Sequence, residues 1–143
     1  METKSVPTTE LAGELRLAVT RTARRLRLQA GGPLSPTLTA ALATVANHGP
    51  LTPSELARRE GVQRPTATKL VAKLEAENYV VRAEDVHDGR SFVIAITAEG
   101  SAVLAEMRAR KDVFLAERLE ALAPADHAVL SRAAKLLEEM LAI

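Results

Sequence analysis

The chain has 143 residues, of which 47% are hydrophobic and only 2% aromatic, and it contains no cysteine. This composition excludes an intrinsically disordered protein, a disulfide framework and a Cys-ligated zinc site, and it favours helices packed through Leu, Val and Ala. No apolar run approaches the ~18 residues of a membrane span, and the polar start of the chain lacks the apolar core of a secretory signal, so we expect a cytoplasmic protein without membrane contact.

Charge is distributed unevenly along the chain, although the formal net charge is only +1. Five arginines and no acidic residue lie between Arg16 and Arg27, and five basic residues against one acidic residue lie between Arg58 and Lys73. From Glu99 onwards, six basic residues face eight acidic ones. This segregation indicates an anionic partner for the middle of the chain. The first arginine run is open to two interpretations: contact with DNA, or a solvated or intersubunit helix face.

Two helices are predicted in the first third of the chain. Apolar residues recur at three- and four-residue spacing from about Thr9 until a pair of glycines stops the pattern. Ser35 followed by Pro36 is typical of a helix start, and the second helix ends near Gly49. We assign residues 9–48 to dimerisation and to support of the segment that follows.

A short helix and a longer one come next. Thr52 and Glu55 have the spacing of a capping box, and the short helix breaks at Gly61. The longer helix is predicted from about Arg64 to Glu77, and it stops at Asn78, which tolerates a left-handed backbone. Its inward-facing side chains are expected to be Ala67, Leu70, Val71 and Leu74.

The hydrophobic period then changes from helical to alternating. Tyr79–Arg82 and Phe92–Ile96 are predicted to be two β-strands, and Asp88-Gly89 between them is a hairpin turn signal. Thr97 caps a long helix, and Pro124 opens a last helix with an apolar stripe at i, i+3, i+4 and i+7. The hairpin closes the segment 50–97, and residues 98–143 form the C-terminal helices.

The spacing after Pro53 is that of a helix-turn-helix. Counted from Pro53 as position one, the small Ala57 at five lets a second helix cross closely, and Gly61 at nine permits the tight turn. Apolar residues at positions ten, fifteen and eighteen fix the second helix against the first. The outer face of the second helix is therefore free to enter a DNA major groove.

The free face carries side chains suited to DNA. Gln63 and Arg64 are candidates for base edges, because glutamine pairs with adenine and arginine with guanine, whereas lysines suit phosphates. In the hairpin, or wing, Arg90 is placed to reach a minor groove; Asp88 either holds this guanidinium or only shapes the turn. The candidate DNA-binding residues are Gln63, Arg64, Pro65, Thr66, Thr68, Lys69, Lys73, Asp88 and Arg90.

Three stretches, Leu74–Arg82, Asp85–Ser91 and Ile94–Gly100, resemble the signature of MarR-type regulators. The shared pattern is a leucine–acid helix end, Asp and Arg two residues apart in the wing, and a strand ending in Thr-x-x-Gly. The flanking helices also match in number and order, so the resemblance covers nearly the whole chain. Asn78 replaces the family's usual glycine but can adopt the same backbone conformation. The absence of cysteine places the oxidant-sensing branch of the family out of reach.

The resemblance implies a mostly α fold with a small β wing, about six helices and a two- or three-stranded sheet. It also implies a homodimer formed by the N- and C-terminal helices, with Arg64–Lys69 reading bases and Arg90 in the minor groove. Many members are repressors released by small aromatic or amphipathic ligands, but no segment identifies a ligand pocket here. The terminal helices also carry more apolar surface than one subunit easily buries, and the candidate dimer-interface residues are Leu11, Leu15, Leu136, Leu137, Met140 and Leu141.

Three functional hypotheses follow. The first is a transcriptional regulator, most simply a repressor, whose homodimer binds a pseudo-palindromic double-stranded DNA site with half-site centres about 10 base pairs apart. The second is a winged helix that contacts another protein and does not bind DNA. The third, an enzyme, has no nucleophile–base motif to support it. The three histidines, His48, His87 and His127, lack metal-ligand spacing, so neither a metal nor another cofactor is expected.

Overall fold

The computed structural model describes residues 5–87 and 89–142, and within them six helices and one β-hairpin follow each other along the chain. The elements are α1 (Thr8–Ala30), α2 (Pro36–His48), α3 (Pro53–Glu60), α4 (Arg64–Ala76), β1 (Val80–Glu84), β2 (Phe92–Ile96), α5 (Ala98–Glu120) and α6 (Pro124–Leu141). The mostly α fold with a small β wing is therefore confirmed, in the predicted order of elements.

The chain forms two compact units. One unit is Ala30–Ala109 and contains α2, α3, α4, the hairpin and the first half of α5. The other combines α1 with the second half of α5 and with α6.

The core of the Ala30–Ala109 unit is aliphatic. Its largest fully buried side chains come from α2, the α2–α3 connection, α3, α4 and β2, and each is less than 2% exposed: Leu42, Val45, Leu51, Leu56, Val71, Leu74 and Ile94. Burying one such side chain stabilises the fold by roughly 1.5–3 kcal/mol. Among the described residues no polar or charged side chain is buried, so the hydrophobic effect holds this unit together.

Local capping signals set the ends of α2 and α3 as predicted. The Ser35 hydroxyl accepts the amide hydrogen of Leu38 at 3.2 Å. Thr52 and Glu55 form the reciprocal capping box, with Glu55 N to Thr52 Oγ1 at 3.2 Å and Thr52 N to Glu55 Oε2 at 3.4 Å. Gly61 ends α3 at φ 66°, a left-handed conformation that glycine adopts at little cost.

The first strand starts one residue later than predicted, at Val80 instead of Tyr79. Asn78 lies in the left-handed conformation at φ 61°, as its sequence position indicated, and it turns the chain at the end of α4. The Tyr79 amide then donates to the carbonyl of Leu74 at 2.9 Å. Because this bond closes the helix end, Tyr79 is not available to begin the strand pairing.

The hairpin is anchored to the residue that leads into α3. Strands β1 and β2 pair antiparallel, with Val80 opposite Ile96 and Glu84 opposite Phe92. On its other edge, Ile94 exchanges two backbone hydrogen bonds with Leu51, of 2.7 and 3.1 Å. The wing is thereby fixed to the start of the helix-turn-helix by main-chain bonds.

In the other unit, α6 is an amphipathic helix that buries none of its residues. It follows a turn in which His127 Nε2 contacts the carbonyl of Leu119 at 2.5 Å. In the preceding turns of α5, the Arg118 guanidinium lies 5.0 Å from the centre of the Phe114 ring. The apolar side of α6 is therefore open within one chain.

Gly100 in the first turn of α5 allows a close backbone approach, and Gly100→Ala is expected to lower the free energy of unfolding by about 2 kcal/mol. A Cβ there would lie 2.2 Å from the carbonyl oxygen of Tyr79, which the Thr97 amide holds at 3.0 Å. Urea denaturation measures the change. Gly13→Ala in α1 is the control, since a Cβ there meets no atom within 4 Å and alanine favours a helix. Equal stability of the two variants would contradict the expected clash.

Candidate nucleic-acid interface

Helix α4 presents a continuous exposed face opposite its buried one. Ala67, Leu70, Val71 and Leu74 are at most 8% exposed, as the helix-turn-helix spacing predicted. The side chains that point away from them are all exposed: Gln63, Arg64, Pro65, Thr66, Thr68, Lys69 and Lys73. Three of these carry positive charge and no acidic residue lies among them, so the face is suited to an anionic partner.

The turn between α3 and α4 holds this face in place. Ala57 is 6% exposed at the crossing of the two helices, and its carbonyl accepts the amide hydrogen of Val62 at 3.0 Å. At the end of α3, the Thr44 hydroxyl of α2 donates to the Glu60 carboxylate. The recognition helix α4 is therefore supported by α3, and α3 by α2.

Thr68 makes a contact within its own helix that limits its role. Its hydroxyl donates to the carbonyl of Arg64 at 3.0 Å, one turn earlier. While that bond is made, the hydroxyl hydrogen is not available to a phosphate, and the methyl group and oxygen lone pairs face outward. A contact with a thymine methyl group is the interaction that this geometry favours.

Arg64 and Arg90, far apart in sequence, line one cleft of about 310 Å³ between the recognition helix and the wing. The first turn of α3 forms another wall, with Thr52, Pro53 and Ser54, and the base of the wing adds Ser91 and Phe92. The cleft thus combines two guanidinium groups, hydroxyl side chains and the start of a helix. This is the chemistry of a phosphate site.

Sequence reasoning missed the cleft residues Thr52, Ser54 and Ser91 as candidates. The pattern around Thr52 indicates only a capping role, and the hydroxyl groups form no motif of their own. The available signal was the serine in the first turn of the first helix of a helix-turn-helix, where backbone N–H groups also point outward.

Sequence reasoning also missed Arg82, which links the recognition helix to the wing. Its Nε donates to both carboxylate oxygens of Glu75, at 2.8 and 3.1 Å. Its guanidinium carbon lies 4.3 Å from the centre of the Phe92 ring. Neither partner is adjacent in sequence, so periodicity alone gave no indication of the contact.

The wing tip is shaped by Asp85, whose carboxylate accepts the amide hydrogen of His87 at 3.0 Å. The Asp85 amide donates to the Ser91 carbonyl at 3.3 Å, which closes the hairpin. Val86 projects from the tip and is 95% exposed. Asp88 lies outside the described residues, so the predicted pair between Asp88 and Arg90 stays a prediction.

Over residues 5–87 and 89–142, no three acidic or histidine side chains come together in a way that could hold a metal ion. Within the same residues, none of the helices has the length and apolar character needed to cross a membrane.

A basic recognition helix in a helix-turn-helix, with a β-hairpin beside it, defines a winged helix-turn-helix protein. The model of the MarR family matches residues 33–91. An uncharacterised HTH-type transcriptional regulator of Mycobacterium bovis is 37% identical over 128 residues, which cover 89% of this chain and 90% of that protein. The chain therefore belongs to the MarR family of transcriptional regulators, and the resemblance seen in its sequence is confirmed.

Solved structures share the fold over nearly the whole chain. A candidate transcriptional regulator of Pseudomonas aeruginosa PA01 superimposes with a TM-score of 0.86 at 29% identity, covering 96% of this chain and 99% of that one. Streptococcus pneumoniae FabT, solved in complex with DNA, superimposes with a TM-score of 0.66 at 15% identity, covering 94% and 97%.

Proposed function

We propose that the protein binds a specific double-stranded DNA site as a homodimer and represses transcription from it. The observation that carries this function is the cleft in which Arg64 of the recognition helix and Arg90 of the wing lie beside the start of α3. Two arginines that converge with hydroxyl groups at a helix start favour a phosphate of the DNA backbone.

The exposed face of α4 supplies the remaining contacts. Gln63 and Arg64 at its start are assigned to base edges in the major groove, and Lys69 and Lys73 further along to phosphates. Arg90 is assigned to the adjacent minor groove, and the cleft then holds the phosphate between the two grooves. FabT, a structural neighbour, is solved in complex with DNA, which supports a DNA-binding role for the shared fold.

A second copy of this chain is the partner proposed for the terminal helices. Helix α6 buries none of its residues, and Leu11, Met140 and Leu141 are 42%, 55% and 78% exposed. A stable interface buries about 800 Å² on each partner, and an apolar helix face of this kind can supply such an area. The proposed interface residues are Leu11, Leu15, Leu136, Leu137, Met140 and Leu141. Two-fold symmetry would require a pseudo-palindromic DNA site.

The double variant Leu136→Glu/Met140→Glu is expected to be a monomer at micromolar concentration, because burying two unpaired carboxylates in an apolar interface is strongly unfavourable. Sedimentation velocity measures the state of association. Ser131→Glu, which adds a charge at an exposed polar position of the same helix, is the control and should leave the wild-type state. A double variant that stays dimeric would place the interface elsewhere.

Repression follows if the dimer occupies DNA that the transcription machinery needs, and release by a small amphipathic or aromatic ligand would follow if that ligand binds the DNA-competent dimer less tightly. This role places the protein in the cytoplasm, with the chromosome. A promoter–reporter assay carrying the bound site distinguishes repression from activation.

The test of DNA binding is selection from a pool of random duplexes, followed by fluorescence anisotropy on the selected sequence across a salt series. We expect a pseudo-palindromic sequence whose affinity falls steeply with salt, as counterion release requires. Equal, weak binding to selected and scrambled duplexes would remove sequence specificity. No binding to any duplex at low salt would favour the alternative, a winged helix that contacts another protein.

A further inference from the structure

Arg82 contacts three elements around the DNA-facing cleft. It lies in β1 opposite Ile94, on the side of the hairpin that packs toward the core. From there its Nε bonds to Glu75 in the last turns of α4, at 2.8 and 3.1 Å. Its guanidinium stacks on Phe92, the first residue of β2, at 4.3 Å from the ring centre. Arg82 thus joins the recognition helix to both strands of the wing.

Phe92 connects this cluster to the cleft. Its side chain forms part of the cleft wall that also contains Arg64 and Arg90. Phe92 lies opposite Glu84 and is therefore a diagonal neighbour of Arg82 on the same face of the hairpin. One side of the Phe92 ring meets the Arg82 guanidinium, and the residue also borders the space assigned to the DNA phosphate. A change at Arg82 is therefore transmitted to the cleft through a single side chain.

We propose that Arg82 is a positioning residue for DNA: it fixes the wing relative to α4, so that the major-groove and minor-groove contacts are made together. It has this role only if the protein binds DNA as proposed above. A wing held in its bound position before DNA arrives loses less conformational freedom on binding, and that difference adds to affinity. The Glu75–Arg82 pair is a poor source of fold stability, since its side chains are 36% and 43% exposed and such surface pairs contribute little.

Direct contact of Arg82 with a phosphate is the competing role. The Arg82 Nε already donates to a carboxylate, and the negative charge of Glu75 at 2.8 Å opposes the approach of an anion. The two roles differ in salt dependence, because each phosphate contact contributes about 0.9 to the slope of log affinity against log salt. A positioning residue changes the affinity and leaves this slope unchanged.

The experiment compares wild type, Arg82→Gln, Arg82→Lys and the charge exchange Glu75→Arg/Arg82→Glu on the selected duplex. We expect Arg82→Gln to weaken binding about fivefold to tenfold with an unchanged salt slope, because it removes an exposed ion pair and a cation–π interaction together. Arg82→Lys keeps the charge and recovers part of the affinity. The charge exchange recovers more affinity than Arg82→Glu alone, because it restores an opposite pair at the same positions.

A double-mutant cycle with Arg90→Ala separates positioning from general destabilisation. If Arg82 holds the wing, Arg90→Ala costs less affinity in the Arg82→Gln background than in wild type, because the wing contact is already weakened. Additive losses, or a slope that falls by about 0.9 in Arg82→Gln, would overturn the positioning role.

A measurement without DNA tests the same point. Backbone amide relaxation of residues 84–91 should show larger motion in Arg82→Gln than in wild type, while the α2 and α3 amides stay unchanged. An equally ordered wing in both proteins would overturn the inference. If no duplex is selected at all, the proposed function fails, and wing relaxation alone then decides whether Arg82 holds the wing to α4.

Discussion

The double variant Arg64→Ala/Arg90→Ala is expected to bind the selected duplex about a hundredfold more weakly than wild type, since each charge-assisted contact to DNA contributes about 1.5–3 kcal/mol. Arg64 begins the recognition helix and Arg90 lies at the wing, and both line the same cleft. The slope of log affinity against log salt should become shallower by up to about two, because the variant removes at most two phosphate contacts. Fluorescence anisotropy across a salt series measures both quantities.

Arg108→Ala is the matched control, because it removes an exposed arginine of α5 that lies outside the recognition helix and the wing. We expect its affinity and salt slope to stay close to wild type. The two single variants divide the effect: Arg64→Ala should also relax the base preference at one position of each half-site, as a base-reading arginine does. A double variant that binds as tightly as Arg108→Ala would show that the cleft is not on the DNA.

The largest effect on stability is expected from Leu56→Ala, which should lower the free energy of unfolding by about 2–5 kcal/mol. Leu56 is 0% exposed and packs in the aliphatic core between α2, α4 and β2. Alanine removes buried methyl groups and leaves a cavity that its neighbours fill only in part. Because domains of this size are stable by only about 5–15 kcal/mol, the variant should also fold less completely at 37 °C.

Denaturation monitored by circular dichroism, at one fixed protein concentration because association adds to apparent stability, measures this loss. The control is Val86→Ala at the wing tip, where the side chain is 95% exposed and a truncation should change stability by less than about 0.5 kcal/mol. A loss below about 1 kcal/mol in Leu56→Ala would mean that the helix-turn-helix can repack around the gap.

Most of the fold could be predicted because its signals are local. The capping box at Thr52 and Glu55, the left-handed Gly61 and the left-handed Asn78 all form within a few residues of the chain, and each has the predicted geometry. The buried face of α4 follows from the helical period alone. The one-residue error at the start of β1 arose because the Tyr79 amide bonds back to Leu74, a choice between helix end and strand that composition does not reveal.

The sequence by itself determined the order of the elements, the helix-turn-helix spacing and the exposed residues of α4, since these depend on periodicity and on backbone preferences close in the chain. Only the tertiary structure decided that Arg64 and Arg90 line one cleft with Ser54, and that Arg82 joins Glu75 to Phe92. These groups meet because the hairpin folds back beside α4 and pairs with Leu51. Side-chain contacts between residues distant in sequence depend on that packing, and no local pattern encodes them.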